Sequence, residues 1–208
     1  MSIAEPKEKI KNILFDFGQV LVRFDPHYIA APYAEGADLD LLCDVLFDRL
    51  YWDRLDAGTI SDEEVVTAAT RRLPPRLADA CRLAYEAWPY RLPEVPGMRQ
   101  LLTDLRAAHV PVYVLSNISH YFAAHTDGSP ILSLTDGQIF SSEVGCVKPD
   151  RAIFARAAET FGILPAETLF VDDSDRNVDG ARAAGFHAVR FDGDADALRR
   201  YFCGIGLL

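Results

Sequence analysis

Four short β-rich apolar runs, at 13–17, 110–115, 168–171 and 187–191, with a weaker one near 138–141, punctuate this 208-residue chain. Each has the length of a buried strand. Between most of them lie segments with helical apolar spacing: Gly97 to Ala108, Arg151 to Phe161 and Asn177 to Ala184. Strands alternating with amphipathic helices predict an α/β protein, a Rossmann-like parallel sheet with helices on both faces. The first interval departs from that rhythm, because 92 residues, 18–109, separate the first strand from the next strong one. A plain crossover is far shorter. Within the interval Leu39 to Leu55, Ser61 to Arg71 and Arg76 to Trp88 read as helices, with breaks at Asp-Ala-Gly-Thr (56–59) and Leu-Pro-Pro (73–75). Ser61 stands three residues before Glu64, the pattern of a capping box. The expectation is a small helical cap, 26–92, inserted into a core made of 1–25 and 93–208.

Composition bounds what such a chain can do. Half of its residues are apolar, enough to bury a substantial core. No apolar run is long enough for a bilayer, and the opening MSIAEPKEKIKN lacks the apolar centre of a signal peptide, so no membrane partner and a cytoplasmic location are expected. Cys43, Cys81, Cys146 and Cys203 are scattered without a C-x-x-C pair, which argues against a zinc site or disulfide framework. A formal net charge of -10 disfavours nucleic acid, because the long-range field repels phosphate backbones. A small phosphorylated ligand remains compatible, given local cations, backbone amides or a metal.

The polar residues fall at one edge of the expected sheet. Asp16 follows the first strand, Ser116 and Asn117 follow the second, and Asp172 and Asp173 follow the strand at 168–171. Lys148 lies in the loop after the weak strand, directly before Pro149 and the start of a helix. Open α/β sheets bind ligands at the carboxyl ends of their strands. Four separate segments thus converge on one crevice.

Together these residues resemble the haloacid dehalogenase (HAD) superfamily of phosphatases. The resemblance runs from about Lys11 to Phe191 and includes all four motif regions in order, with the helical insertion where the first type of cap occurs. Within the superfamily the chain most resembles bacterial sugar-phosphate phosphatases related to α-D-glucose-1-phosphate phosphatase. They share a D-x-G-x-V first motif (Asp16, Gly18, Val20), a WDRLDAGTIS-like stretch in the cap, Ser116-Asn117, Lys148-Pro149, and a DD-x-x-x-N fourth motif ending at Asn177. The resemblance implies the HAD fold, hydrolysis of a small phosphorylated metabolite such as a sugar phosphate, and Mg2+ as cofactor.

The chemistry expected of each residue follows from its type. Asp16 attacks phosphorus and forms an aspartyl-phosphate, dividing hydrolysis into two displacements. A carboxylate and a phosphate repel, so a divalent cation is needed, with Asp16, the Gly18 carbonyl and Asp173 as oxygen ligands and Asp172 as a supporting ligand or an outer partner. Lys148 neutralises Asp16 and the phosphoryl oxygens. The Ser116 hydroxyl, the Asn117 amide and the Phe17 backbone N–H are expected to bind phosphate. Asn177 is expected to orient a water or Asp173, or to serve as a first-turn helix residue.

Gly18 departs from the commonest superfamily pattern, in which a second aspartate protonates the leaving oxygen. The resembled subgroup carries the same glycine. An anomeric sugar oxygen is a better leaving group than an ordinary alkoxide and needs an acid less. Otherwise a cap residue or Asp25 supplies the proton, although Asp25 before Pro26 reads first as a helix cap or turn residue. Tyr51, Trp52, Asp56 and Trp88 are candidates to touch the leaving group, with cap-core packing and turn formation as their alternative roles. None of the five histidines shows metal-ligand spacing. Two other classes are open at this point: a 2-haloacid dehalogenase-like enzyme with Asp16 attacking carbon, against which the Asp172-Asp173 pair argues, and a catalytically silent binding protein, against which Asp16, Lys148 and Asp173 argue.

Overall fold

A computed structural model describes residues 9–126 and 128–208. The first eight residues of the expected core segment, and most of the opening stretch read for a leader, lie outside them. Five strands form one parallel sheet: β1 (Asn12–Phe15), β2 (Val112–Ser116), β3 (Gly137–Phe140), β4 (Thr168–Asp172) and β5 (His187–Arg190), in the order β3-β2-β1-β4-β5. All five expected runs are strands.

Alternation along each strand divides the interior into two layers, as a period of two requires. Ile13 and Phe15 of β1, Val112 and Val114 of β2, and Leu169 and Val171 of β4 enter one cluster. Leu14, Leu115 and Phe170 enter the other. The first layer is closed by α6 (Met98–Ala107) and α11 (Ala195–Gly204), through Leu101, Leu105, Leu198 and Phe202. The second is closed by α9 (Arg151–Phe161) and α10 (Asp175–Ala183), through Ile153, Phe154, Val178 and Ala181. Two single-turn helices, α7 (His120–Ala123) and α8 (Ser141–Val144), follow β2 and β3.

Between β1 and β2 the chain forms α1 (Pro26–Ala30), α2 (Gly36–Leu46), α3 (Arg49–Asp56), α4 (Asp62–Arg72) and α5 (Ala78–Ala87). The single helix expected over Leu39 to Leu55 is two helices. Asp48 interrupts it by accepting a hydrogen bond from Leu50 N–H, 3.0 Å, and so caps α3. Ser61 caps α4 in a complete capping box: Glu64 N–H donates to Ser61 Oγ at 3.1 Å, and Ser61 N–H donates to Glu64 Oε2 at 2.7 Å. The helix expected from Arg76 to Trp88 is α5 flanked by 3-10 turns at Pro75–Leu77 and Trp88–Tyr90, where prolines remove donors from the helical ladder. Trp52, Val65, Cys81 and Trp88 of this insert belong to the same buried cluster as Ile13 and Phe15. The insert therefore packs as a continuation of one sheet face.

The other sheet face brings two chemically important segments together. Gly180 in α10 lies so close to the loop before α9 that an added Cβ would sit 2.6 Å from Pro149 Cβ and 2.7 Å from the Pro149 carbonyl oxygen. Gly180→Ala gains about 1 kcal/mol in helix propensity but must displace backbone. The expected net result is a loss of roughly 1–3 kcal/mol in urea unfolding. Ser61→Ala, which removes the cap of α4, is expected to cost about 1 kcal/mol in the same measurement.

Candidate active site

The sheet order creates the site. β1 leads outward to β2 and β3, whereas the chain crosses back to place β4 and β5 on the other side, so β1 and β4 flank a topological switch point. Their register pairs Phe15 with Val171, and Asp16 N–H donates to the Val171 carbonyl at 2.8 Å. The residues that follow, Asp16 and Asp172, consequently emerge side by side.

Both carboxylates are buried, and one ammonium joins them. Lys148 Nζ lies 2.7 Å from Asp16 Oδ1 and 2.7 Å from Asp172 Oδ2. It also sits 5.4 Å from the centroid of the Phe170 ring. Asp16 Oδ1 accepts a further bond from Phe17 N–H at 2.7 Å, which leaves Oδ2 without a protein partner among the described residues. Burial pushes the Asp16 carboxyl up, to about 7, against the lowering effect of Lys148. For Lys148 the attraction of Asp16 and Asp172 outweighs burial, so its pKa is raised and it remains an ammonium.

Asp172 has little capacity left for a ligand. Oδ1 accepts from Ser174 N–H (2.9 Å) and Asn177 Nδ2 (3.0 Å), and Oδ2 accepts from Lys148 Nζ and Asn177 Nδ2 (3.1 Å). Four hydrogen bonds from three donor groups occupy the two oxygens, so Asp172 orients Lys148. Asn177 is directed at Asp172, not at Asp173 as the alternative assignment has it. Asp173 is half-buried and faces the cleft, its pKa raised by burial and then by repulsion from Asp172. One ligand atom from each of Asp16, Asp172 and Asp173 falls within 4.8 Å of the others. Three carboxylates against one ammonium leave two negative charges, and an all-oxygen donor set beside them fits a hard divalent cation.

Two of the expected phosphate donors are engaged elsewhere. The Phe17 N–H is spent on Asp16. The Asn117 side chain clamps the backbone of Lys148, with Nδ2 donating to the Lys148 carbonyl at 3.0 Å and Oδ1 accepting from its N–H at 2.7 Å. Ser116 ends β2, and no protein partner is described for its hydroxyl. Gly18 lies in a tight turn whose next residue, Gln19, takes a left-handed φ of 59°. A Cβ on Gly18 would meet nothing within 4 Å.

A cavity of 520 Å³ opens above these residues, floored by Gly18, Ser116, Lys148 and Asp173 and roofed by the helical insert. Phe24, Trp52 and Trp88 form an aromatic wall, with ring centroids 5.1 to 5.9 Å apart. Asp56 lines the cavity as well. Tyr51 does not: it lines a separate 340 Å³ hollow on the insert, where the Arg72 guanidinium lies 5.5 Å from its ring centroid. Asp25 is committed as the cap of α1, accepting from His27 N–H at 3.0 Å and Tyr28 N–H at 3.2 Å. The sequence reading missed Phe24, Phe47, Arg49 and Arg176 as cleft residues. Nothing in their local pattern distinguishes them from packing or surface residues.

Comparison with known proteins identifies the family. A family model described as haloacid dehalogenase-like hydrolase matches residues 10–185. The chain is 29% identical to D-ribitol-5-phosphate phosphatase of Bacteroides thetaiotaomicron, covering 90% of this chain and 94% of that protein. It is 32% identical to phosphatase MT3486 of Mycobacterium tuberculosis, covering 88% of each. Its fold matches a HAD family enzyme of Bacteroides thetaiotaomicron solved with magnesium and inorganic phosphate, at a TM-score of 0.70 and 22% identity over 91% of this chain and 98% of that one. The chain belongs to the haloacid dehalogenase-like hydrolase family.

Proposed function

We propose that this protein is a magnesium-dependent phosphomonoester hydrolase that acts through an aspartyl-phosphate on a small phosphorylated metabolite, a sugar phosphate in the first instance. The observation that carries the reading is the buried Asp16 carboxyl with one oxygen held and the other without a partner among the described residues, beside Lys148 and Asp173. Phosphatases among its relatives support it. Four unpaired cysteines suit a reducing compartment, and the proposal places the enzyme in the cytoplasm.

Asp16 Oδ2 is the attacking atom, because Oδ1 is pinned by Phe17 N–H and Lys148. Lys148 carries its positive charge toward the same face and offsets the charge of the phosphoryl oxygens. Ser116 Oγ supplies a hydroxyl donor from the end of β2. Asn117 acts on the reaction through Lys148, by fixing the loop that carries it. Asp16, Asp173 and the Gly18 carbonyl would hold Mg2+, and Asp172 serves as the outer group that orients Lys148. When bound, the ion neutralises the two uncompensated charges and draws a phosphate anion toward a carboxylate. The aromatic wall of Phe24, Trp52 and Trp88 offers a flat apolar face to a leaving group. It excludes water once the cleft is filled.

Screening phosphorylated metabolites with magnesium tests the activity and its substrate class. Asp16→Asn is expected to lower turnover about 10³-fold or more, and chelation is expected to abolish it reversibly; a variant working at the wild-type rate excludes the nucleophile. Proton linkage gives a second test. The Asp16 carboxyl, raised to about 7 without metal, must lose its proton to serve as a ligand. Mg2+ affinity by isothermal titration is therefore expected to be level above pH 7. Below it, affinity should fall by up to about tenfold per pH unit. An affinity unchanged between pH 5.5 and 8 would count against Asp16 as a ligand.

A further inference from the structure

A phosphate ester of an ordinary alcohol leaves poorly as an alkoxide, so hydrolysis at neutral pH needs an acid at the leaving oxygen. The core does not provide one next to Asp16. Position 18 is glycine, and a Cβ added there would meet nothing within 4 Å. Asp25 is occupied as a helix cap outside the cavity lining. Of the other carboxyls lining the cavity, Asp173 belongs to the oxygen cluster at the sheet edge, and Asp53 is exposed and paired with Arg49 at 3.0 Å. Asp56 remains. It is half-buried at the C-terminal end of α3, and no hydrogen bond or ion pair is described for its carboxyl.

The backbone of Asp56 is held over the site by the core. The Ser141 hydroxyl, at the start of α8, donates to the Asp56 carbonyl and accepts from Ile118 N–H at 2.9 Å. Ile118 directly follows Ser116 and Asn117. One buried serine thus ties the end of α3 to the loop that follows Ser116 at the end of β2. This tether holds the backbone of Asp56 at the cleft, and Asp56 lines the same cavity as Lys148, whose ammonium lies 2.7 Å from Asp16.

We propose that Asp56 is the acid and base of the reaction, a catalytic residue supplied by the helical insert in place of the side chain absent at Gly18. This rests on the phosphohydrolase reading given above. In the first displacement Asp16 Oδ2 bonds to phosphorus, the bond from phosphorus to the leaving oxygen breaks, and that oxygen takes the Asp56 proton to depart as an alcohol. In the second, the Asp56 carboxylate takes a proton from water while the water oxygen bonds to phosphorus. The bond from phosphorus to Asp16 breaks, releasing inorganic phosphate and returning both carboxyls to their starting states.

The surroundings suit a carboxyl that holds a proton near neutrality. Burial, followed by repulsion from Asp53, pushes Asp56 up to about 8, with Asp16 adding to the rise and Arg49 and Lys148 opposing it. Tyr85 on α5 shares the field of Asp56, and His120 Nε2 lies 3.6 Å from where a Cβ on Gly58, two residues on, would be.

The test uses two esters that differ in their need for an acid, glycerol phosphate and p-nitrophenyl phosphate. Wild-type turnover of p-nitrophenyl phosphate in magnesium, and its loss in Asp16→Asn, establishes the underlying reading; absence of both sinks the reading and Asp56 with it. Given that activity, Asp56→Asn is expected to lower kcat/KM for glycerol phosphate by about 10²–10⁴-fold. With p-nitrophenyl phosphate the same variant should release one equivalent of nitrophenol per site in a burst, then turn over slowly, because water activation is lost. Adding Gly18→Asp to Asp56→Asn should recover part of the glycerol phosphate activity, since a Cβ at position 18 meets nothing within 4 Å. Wild-type rates on both esters in a folded Asp56→Asn overturn the assignment while leaving the phosphatase intact. The wild-type enzyme supplies a test independent of any variant. For glycerol phosphate kcat/KM should fall as pH rises and Asp56 loses its proton, whereas for p-nitrophenyl phosphate it should stay level. Identical alkaline profiles for the two esters overturn the proposal.

Discussion

A single ammonium makes the sheet edge of this protein tenable. The β1–β4 register sets Asp16 and Asp172 side by side and buries both, and two carboxylates in that position repel strongly in a medium of low dielectric. Lys148 lies between them at 2.7 Å from each. A buried ion pair repays its desolvation only when the remaining lone pairs are also satisfied. Ser174 and Asn177 fill those of Asp172, whereas one oxygen of Asp16 is left unfilled. The same cluster is therefore complete at Asp172 and open at Asp16 Oδ2 among the described residues.

The loop that delivers Lys148 is fixed from two directions. Asn117 clamps its backbone from the end of β2, and Gly180 admits Pro149 against α10 with no room for a methyl group. The Lys148–Pro149 peptide is cis. The helical insert contributes a roof without forming a separate interior, because its apolar residues join the cluster on one sheet face. The division of labour follows from that packing. The sheet edge holds the charged groups, and the insert adds aromatic rings and Asp56 to the lining of the cleft above them.

Much of this was legible from the chain. The five strands show as short apolar runs because each is covered on both faces, and Ser61 with Glu64 marks the start of α4 because capping is a local interaction. Positions just after predicted strands located Asp16, Lys148, Asp172 and Asp173 at one edge. Other features escaped. α11 was missed although Asp194 caps it, accepting from Asp196 N–H and Ala197 N–H at 2.9 Å each, because its segment carries no chemical motif to draw attention. The break between α2 and α3 at Asp48 was hidden in a continuous helical pattern, since an aspartate can ride on a helix surface or cap the next helix with equal local plausibility.

Partner choice was the larger gap. Asn117 and Phe17 read as phosphate donors, and Asn177 as a partner of Asp173 or a water, yet their hydrogen bonds go to Lys148, Asp16 and Asp172. Those partners are up to 31 residues away in the chain, and only packing decides which of several acceptors comes within reach. The sequence by itself determined the parallel sheet, the long insertion after β1 and the acids at the strand ends, because hydrophobic periodicity and residue type are local properties. Tertiary structure alone decided which oxygen of Asp16 is free, that Asp172 is saturated, that Tyr51 lines a separate hollow, and that Asp56 lines the cleft. Each of those depends on distances between segments that the chain order leaves open.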